Sequence, residues 1–512
     1  MAFNSYQFIL LFLPLAVVLN AILLRLDRPR LRVLLLIALT VGFYCAASWR
    51  SVPIMAASLA ANFVFARKIG AGAPGERALW LRLGVCANVA LLVGLKYTDF
   101  LGGTVAALAG GNWTSANLLL PLGISFFTFQ QIAFLVDTSR GTIARPDASR
   151  YVASILFFPI LVSGPITYFR DLAPQFDARP DARERAQDRL IGLVLFSVGL
   201  FKKTVIADTL GLFVDPLFAQ AARDVPLSGP MAWAAATGFL LQMYFDFSGY
   251  SDMACGIARM LGICLPRNFH SPLRVTSVIA WWRRWHMSLG RFVGDYIHQP
   301  LAIGLGRWAA RRGFGRDGMQ VMAVLVPTFL TMLVIGAWHG GNWTFVVFGV
   351  LHGTYMVVAE SWRYWRKRRK LGPMPAWTMP LCNLLTLFAV LVAVVPFRAA
   401  DMPAAIGLWQ SMAGLASPGA LVPHDLPASG MAGLGAIIAC CLFIAYLLPN
   451  SMQWLEAWSP TLATREWQGV SRPAIRLAWR PGPLGGIAAG LLFVLGFLFI
   501  ARGSASFVYF GY

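Results

Sequence analysis

Carboxylates are scarce in this chain: 22 Asp and Glu stand against 43 Lys and Arg, and charged residues of every kind fill only 13% of 512 positions. Beside 58% hydrophobic residues, so little charge excludes an ordinary soluble globular protein. The seven cysteines have no paired metal-ligand spacing, which leaves no basis for a zinc site or a disulfide framework. A P-loop and a dinucleotide fingerprint are both missing, so ATP-driven transport has no support. Ser125, Ser248 and Ser251 lack the Gly-x-Ser-x-Gly setting of a serine nucleophile. No internal repeat is evident, which argues against a transporter built from two related halves.

What the chain has in abundance is apolar length. Runs recur at about 7–24, 31–48, 53–66, 79–95, 116–136, 151–168, 190–206, 230–247, 319–337, 343–359, 378–396, 432–448 and 484–501. Most approach the length that crosses hydrocarbon, so the expected fold is an all-α polytopic membrane protein of roughly 11–13 membrane segments. The first run has neither a basic head nor a small-residue cleavage site and is expected to be a retained helix. Polar excursions are short, so residues 1–512 are expected to form one membrane domain with no separate soluble domain.

The net charge of +21 is spread over short loops, among them Arg25 to Arg32, Arg67 to Arg82, Arg307 to Arg316 and Arg363 to Lys370. Basic short loops mark the cytoplasmic side of a membrane protein, beside anionic membrane lipid; no continuous nucleic-acid surface is expected. Residues 264–317 break the apolar pattern, being dense in Trp, Arg and His. They are too polar to face lipid and too aromatic for a free loop, and are expected to line a cavity or lie at the interface.

Between two apolar runs lies Trp338-His339-Gly340-Gly341-Asn342-Trp343. An imidazole there is expensive to desolvate, which marks it either as a chemical group or as a packing residue with both nitrogens satisfied. Six ordered motifs bear on that choice. They are Pro121-Leu-Gly-Ile-Ser-Phe-Phe-Thr-Phe129, Gly199-Leu-Phe-Lys-Lys203, Tyr244-Phe-Asp-Phe-Ser-Gly-Tyr-Ser-Asp-Met253, Trp281-Trp-Arg-Arg-Trp-His-Met-Ser-Leu289, Asp295-Tyr296, and Trp338-His-Gly340 followed by Leu351-His-Gly353.

Together they resemble the membrane-bound O-acyltransferase family, and most of all its bacterial, alginate-O-acetylation-like branch. The resemblance implies a helical bundle with a central tunnel or funnel, a catalytic histidine at His339 and a second shared histidine at His286. Acyl transfer from a thioester to a hydroxyl needs a base near pH 7, which neutral imidazole supplies, and donors for the developing oxyanion. Trp338, Trp343, Asn342 and His286 are candidate donors, with Asn342 equally suited to capping a helix. Asp246, Asp252 and Asp295 could orient an imidazole, hold arginines or form buried ion pairs, and His352 has an adequate explanation in helix packing beside Gly353.

The implied donor is acetyl-CoA, although the D-alanyl branch uses a carrier-protein thioester; no tightly bound cofactor and no metal is expected. Arg283, Arg284 and Arg291 could hold donor phosphates or snorkel to headgroups. The resemblance implies O-acetylation of an exported polysaccharide (alginate, cellulose or another exopolysaccharide) from the bacterial inner membrane. It further implies a periplasmic SGNH hydrolase-like partner and the polysaccharide synthesis and export machinery. Peptidoglycan O-acetylation and D-alanyl transfer to teichoic acid are alternatives. From a different class comes a transporter or flippase with a histidine proton relay.

Overall fold

A backbone in hydrocarbon must satisfy its own hydrogen bonds, and the apolar runs accordingly fold as helices. The computed structural model describes residues 2–415, 428–462 and 472–502. Among them every regular element is helical, and the one strand-like pairing is an isolated bridge between Pro266 and Leu462. Eight stretches of described residues are long and apolar enough to cross a membrane, making the chain a multi-pass membrane protein. Several of the eight, Pro29–Ala71, Ala182–Ala221 and Arg316–His339 among them, contain successive helices, and the apolar Pro483–Phe499 helix is shorter.

Two of the expected runs are not single helices. In the 116–136 run the helix begins only at Ile124, after Gly123 turns the chain in the left-handed region at φ +73°. A Cβ at Gly123 would also collide with the Leu161 carbonyl. The 151–168 run is broken into Ala148–Ile155 and Phe158–Leu161, then continues without helix through Gly164 and Pro165. Proline has no N–H to donate and disfavours helical geometry in the residue before it.

Lipid tails are as apolar as leucine, so helices there associate through close packing and polar contacts. The Ala182–Phe201 and Gly229–Met260 helices meet at paired glycines. A Cβ on Gly192 would lie 2.6 Å from the Gly256 carbonyl oxygen, and one on Gly199 would lie 2.5 Å from that of Gly249. The pairs are seven residues apart on both helices and run antiparallel. Behind this seam two lysines are neutralised within the bundle: Lys203 pairs with Asp208 at 2.7 Å and Asp246 at 2.9 Å, and Lys202 with Asp252 at 2.7 Å. Gly336 and Gly349 play the same part between the Val326–His339 and Trp343–Arg368 helices, where a Cβ on Gly336 would lie 2.6 Å from the Gly349 Cα.

The basic loops identify one face of the bundle. Buried Arg32, beside the Arg25–Arg32 loop, donates to the Leu261 carbonyl at 2.7 Å, and Leu462 N donates to the Leu265 carbonyl at 2.9 Å. Residues 260–265 and the 449–462 segment therefore share the basic face, which charge asymmetry assigns to the cytoplasm. The Arg316–His339 and Pro74–Lys96 stretches both start beside basic loops, so His339 and Lys96 lie toward the opposite face.

Replacing Gly199 with Leu is expected to force the two glycine-paired helices apart, with a loss of at least about 1–3 kcal/mol. Thermal unfolding of detergent-purified protein, followed by size-exclusion chromatography, should show lower stability than wild type; an unchanged transition would contradict the close packing.

Candidate active site

The Val326–His339 helix stops at its histidine because Gly340, in extended backbone, and Gly341 follow. A buried helix end leaves carbonyl oxygens that need partners. Lys96 Nζ donates to the carbonyls of Trp338 at 2.7 Å and His339 at 3.1 Å, and the Tyr97 hydroxyl donates to that of Ala337 at 2.7 Å. The ammonium also meets the negative end of the helix dipole. On the far side of the turn, Asn342 Oδ1 accepts from Thr344 N at 3.1 Å and its Nδ2 donates to the Ala400 carbonyl at 3.1 Å. Its amide is thus a helix cap and an interhelical bridge, the structural role weighed for it above.

The imidazole of His339 is buried at 6% exposure among rings. Ring centroids lie 4.9 Å away for Phe397, 5.0 Å for Trp338 and 5.8 Å for Phe348. Trp338 stands against both histidines, since its ring is also 6.2 Å from that of His286. Its Nε1 is buried without a hydrogen-bond partner among the described residues. A cavity of about 220 Å³ is lined by Lys96, Ser125, Phe126, Ser163, Trp338 and His339, with Leu120 and Pro121 at its side. The adjoining 113–116 segment is tied down by Asp99, which accepts from Ala116 N at 2.7 Å, Ser115 Oγ at 2.8 Å and Trp113 Nε1 at 3.1 Å. These donors, Ala116 first, hold the Asp99 carboxyl below the usual carboxylate range.

His286 arrives from a different element. It turns the chain at φ +44°, in the left-handed region, just before the short Met287–Val293 helix. Asn268 fixes it: Asn268 Oδ1 lies 3.1 Å from His286 Nδ1 and also accepts from Ser288 Oγ at 3.0 Å, while Asn268 Nδ2 donates to Ser251 Oγ at 3.2 Å. The backbone joins in, with Met287 N donating to the Asn268 carbonyl at 2.8 Å and Ile166 N to Ser288 Oγ at 2.9 Å. Two imidazoles from separate segments thus flank one buried indole, and one of them borders a cavity.

Residues 136–395 match the membrane-bound O-acyltransferase family. The chain belongs to that family. It is 34% identical over 442 residues to the peptidoglycan O-acetyltransferase of Helicobacter pylori, covering 81% of this chain and 80% of the relative. It is 34% identical over 457 residues to a protein of Azotobacter vinelandii named probable alginate O-acetylase, covering 88% and 84%. A teichoic acid D-alanyltransferase of Streptococcus thermophilus is 28% identical over 291 residues, covering 55% and 69%. The chain is a membrane O-acyltransferase, and its family membership sets aside the transporter alternative.

The remaining candidates of this acyltransferase fall into separate groups. Asp246 and Asp252 pair with Lys203 and Lys202, which is the buried ion-pair alternative, with the Lys-Lys motif and not the arginines supplying the cations. Asp295 belongs with Asp137, Asp171, Arg170 and Arg291. Arg170 reaches Asp137 at 3.0 Å and Asp295 at 3.5 Å, and Arg291 forms a two-pronged contact with Asp171 at 2.6 and 3.2 Å. Arg283 is exposed and Arg284 half-buried. His352 accepts from Trp282 Nε1 at 3.2 Å, tying the Val278–Trp282 helix to the Trp343–Arg368 helix, in keeping with a packing role.

Sequence reasoning passed over Lys96 and Asn268. Lys96 closes an apolar run and looks like a headgroup anchor, although a lone lysine before Tyr97 and far from the basic loops was a usable signal. Asn268 lies in the polar segment, but its bond to a residue eighteen positions onward had no signature.

Asn268→Ala is expected to slow acyl transfer by roughly tenfold or more without preventing insertion, since a buried imidazole loses its hydrogen-bond partner. Lowered kcat with an unchanged thermal transition checks this; wild-type kcat would reduce Asn268 to packing. Lys96→Met is expected to lower both kcat and thermal stability, with Lys96→Arg recovering part of each; an inert Lys96→Met would remove the ammonium clamp from the account.

Proposed function

We propose that the chain takes an acetyl group from acetyl-CoA on its basic face and passes it toward the opposite face, for O-acetylation of an exported polysaccharide such as alginate or cellulose. The membrane would be the bacterial inner membrane, and a periplasmic SGNH hydrolase-like partner working with the polysaccharide synthesis and export machinery would complete delivery. The observation that carries this reading is His339, buried among aromatic rings, bordering a cavity on the side away from the basic loops.

In this reading the His339 imidazole accepts the proton of the attacking hydroxyl as its oxygen bonds to the thioester carbon. Trp338 Nε1, buried and without a hydrogen-bond partner among the described residues, supplies a donor to the carbonyl oxygen as it gains charge. The carbon–sulfur bond then breaks, and the imidazolium returns the proton to the leaving thiolate, yielding an ester and a free thiol. His286, oriented by Asn268, flanks the indole on its other side and holds its position. Arg283, Arg284 and Arg291 are the candidates for the donor's phosphates, with Arg291 also paired to Asp171. The 34% identity to a peptidoglycan O-acetyltransferase makes peptidoglycan the second acceptor to consider.

Purified protein in nanodiscs is expected to release free thiol from acetyl-CoA in the presence of acceptor, and His339→Ala to lower that rate by about 10²–10⁴-fold. Full turnover by a folded His339→Ala would falsify the base assignment. Consumption of a D-alanyl carrier-protein thioester in place of acetyl-CoA would overturn the donor.

A further inference from the structure

A second cavity of about 220 Å³ shares no lining residue with the one beside His339. Its walls are apolar, with Phe201, Ile444 and Leu492 among them, and Leu477 at its edge is 53% exposed. Its polar end is built from Lys202, Ser271, Arg274, Asn450 and Ser451. Most of these groups are already matched. Lys202 pairs with Asp252 at 2.7 Å and donates to Ser451 Oγ at 3.2 Å, and Asn450 Nδ2 donates to Ser271 Oγ at 2.7 Å.

Arg274 is different. Its Nε donates to the Ala445 carbonyl at 2.7 Å and its Nη2 to the Leu448 carbonyl, which closes the end of the Ala428–Leu447 helix. Its Nη1 is buried and has no hydrogen-bond partner among the described residues. Both acceptors are neutral, so the guanidinium charge at the cavity wall is not cancelled by them. A guanidinium whose charge its carbonyl acceptors do not cancel, at the polar end of an apolar chamber, suits an amphiphile with an anionic head.

We propose that this chamber holds an anionic glycerophospholipid, its phosphate on Arg274 and an acyl chain along Phe201, Ile444 and Leu492. Asn450 and Ser451 begin a segment whose other end, Leu462, reaches the basic face, so the chamber belongs to the half of the membrane on that side, which is rich in anionic lipid. The lipid is a structural ligand that binds the Ala182–Phe201, Ala428–Leu447 and Pro483–Phe499 helices together, and it takes no part in acyl transfer.

The test is native mass spectrometry of the full chain released from nanodiscs of mixed phosphatidylglycerol and phosphatidylcholine. Wild type is expected to retain phosphatidylglycerol in preference to phosphatidylcholine, and Arg274→Gln to lower that preference about tenfold, in line with the loss of one charge-assisted hydrogen bond. Leu492→Trp fills the chamber while leaving the Arg274 carbonyl bonds in place, and is expected to abolish retention of both lipids. Equal retention of the two lipids by wild type overturns the proposal, as does wild-type preference in Arg274→Gln. Should Arg274→Gln fail to insert, Leu492→Trp decides alone, and unchanged retention overturns the proposal. Displacement of the lipid by inorganic phosphate would make this a free-phosphate site, and displacement by acetyl-CoA would make it a donor site; either result overturns it as well.

Discussion

A helix that ends in a buried place leaves carbonyl oxygens without partners, and the candidate active site is organised around meeting that need. His339 is the last residue of its helix, so the carbonyls that require donors are those of Ala337, Trp338 and His339 itself. Lys96 and Tyr97 meet the demand from the end of another helix, and in doing so they bring a cation to the cavity wall. Catalytic geometry and backbone satisfaction are therefore one problem: the group that stabilises the helix end also fixes where the imidazole stands.

Aromatic packing extends from this point toward the other face. Phe129 stacks on Trp338 with centroids 5.3 Å apart, Phe292 on Phe129 at 4.2 Å, and Tyr296 follows Phe292 at 5.2 Å before its hydroxyl donates to Asp137 at 2.9 Å. The column joins the imidazole pair to the cluster of Arg170, Arg291, Asp171 and Asp295. Arg291 and Arg170 also lie over the Tyr168 ring, at 4.2 and 4.5 Å, so the charged cluster is itself packed on an aromatic surface. Ion pairs that would be weak in water are held here by partly buried neighbours, which is where such pairs fix geometry more than they add stability.

Much of this was legible in the chain. Apolar run length marked most of the helices, and the ordered motifs singled out His339 and His286. The segment 264–317 stood out by its density of Trp, Arg and His, and its first half is buried and folded as short turns around Asn268 and Trp285. Run length failed where a glycine or proline cut an apolar stretch, as at Gly123 and Pro165, because hydropathy does not register a break in backbone geometry. Partner choice was not legible either. Asp246 and Asp252 found lysines in the neighbouring Lys-Lys motif, and Asn342 a helix cap, because such pairings depend on which helices lie side by side.

The glycine seam between the Ala182–Phe201 and Gly229–Met260 helices has a mechanical consequence. The backbones approach most closely at glycines, where Gly192 faces Gly256 and Gly199 faces Gly249. Sliding either helix by one turn would drive a side chain such as that of Phe196 or Met253 into the opposing backbone, so the seam has one tooth position and no neighbouring one. Phe247, two residues before Gly249, packs edge-on against His286 with centroids 4.7 Å apart. The seam therefore acts as a gauge: it sets the height of one wall of the imidazole pocket by counting residues along a helix, from a point outside the pocket itself.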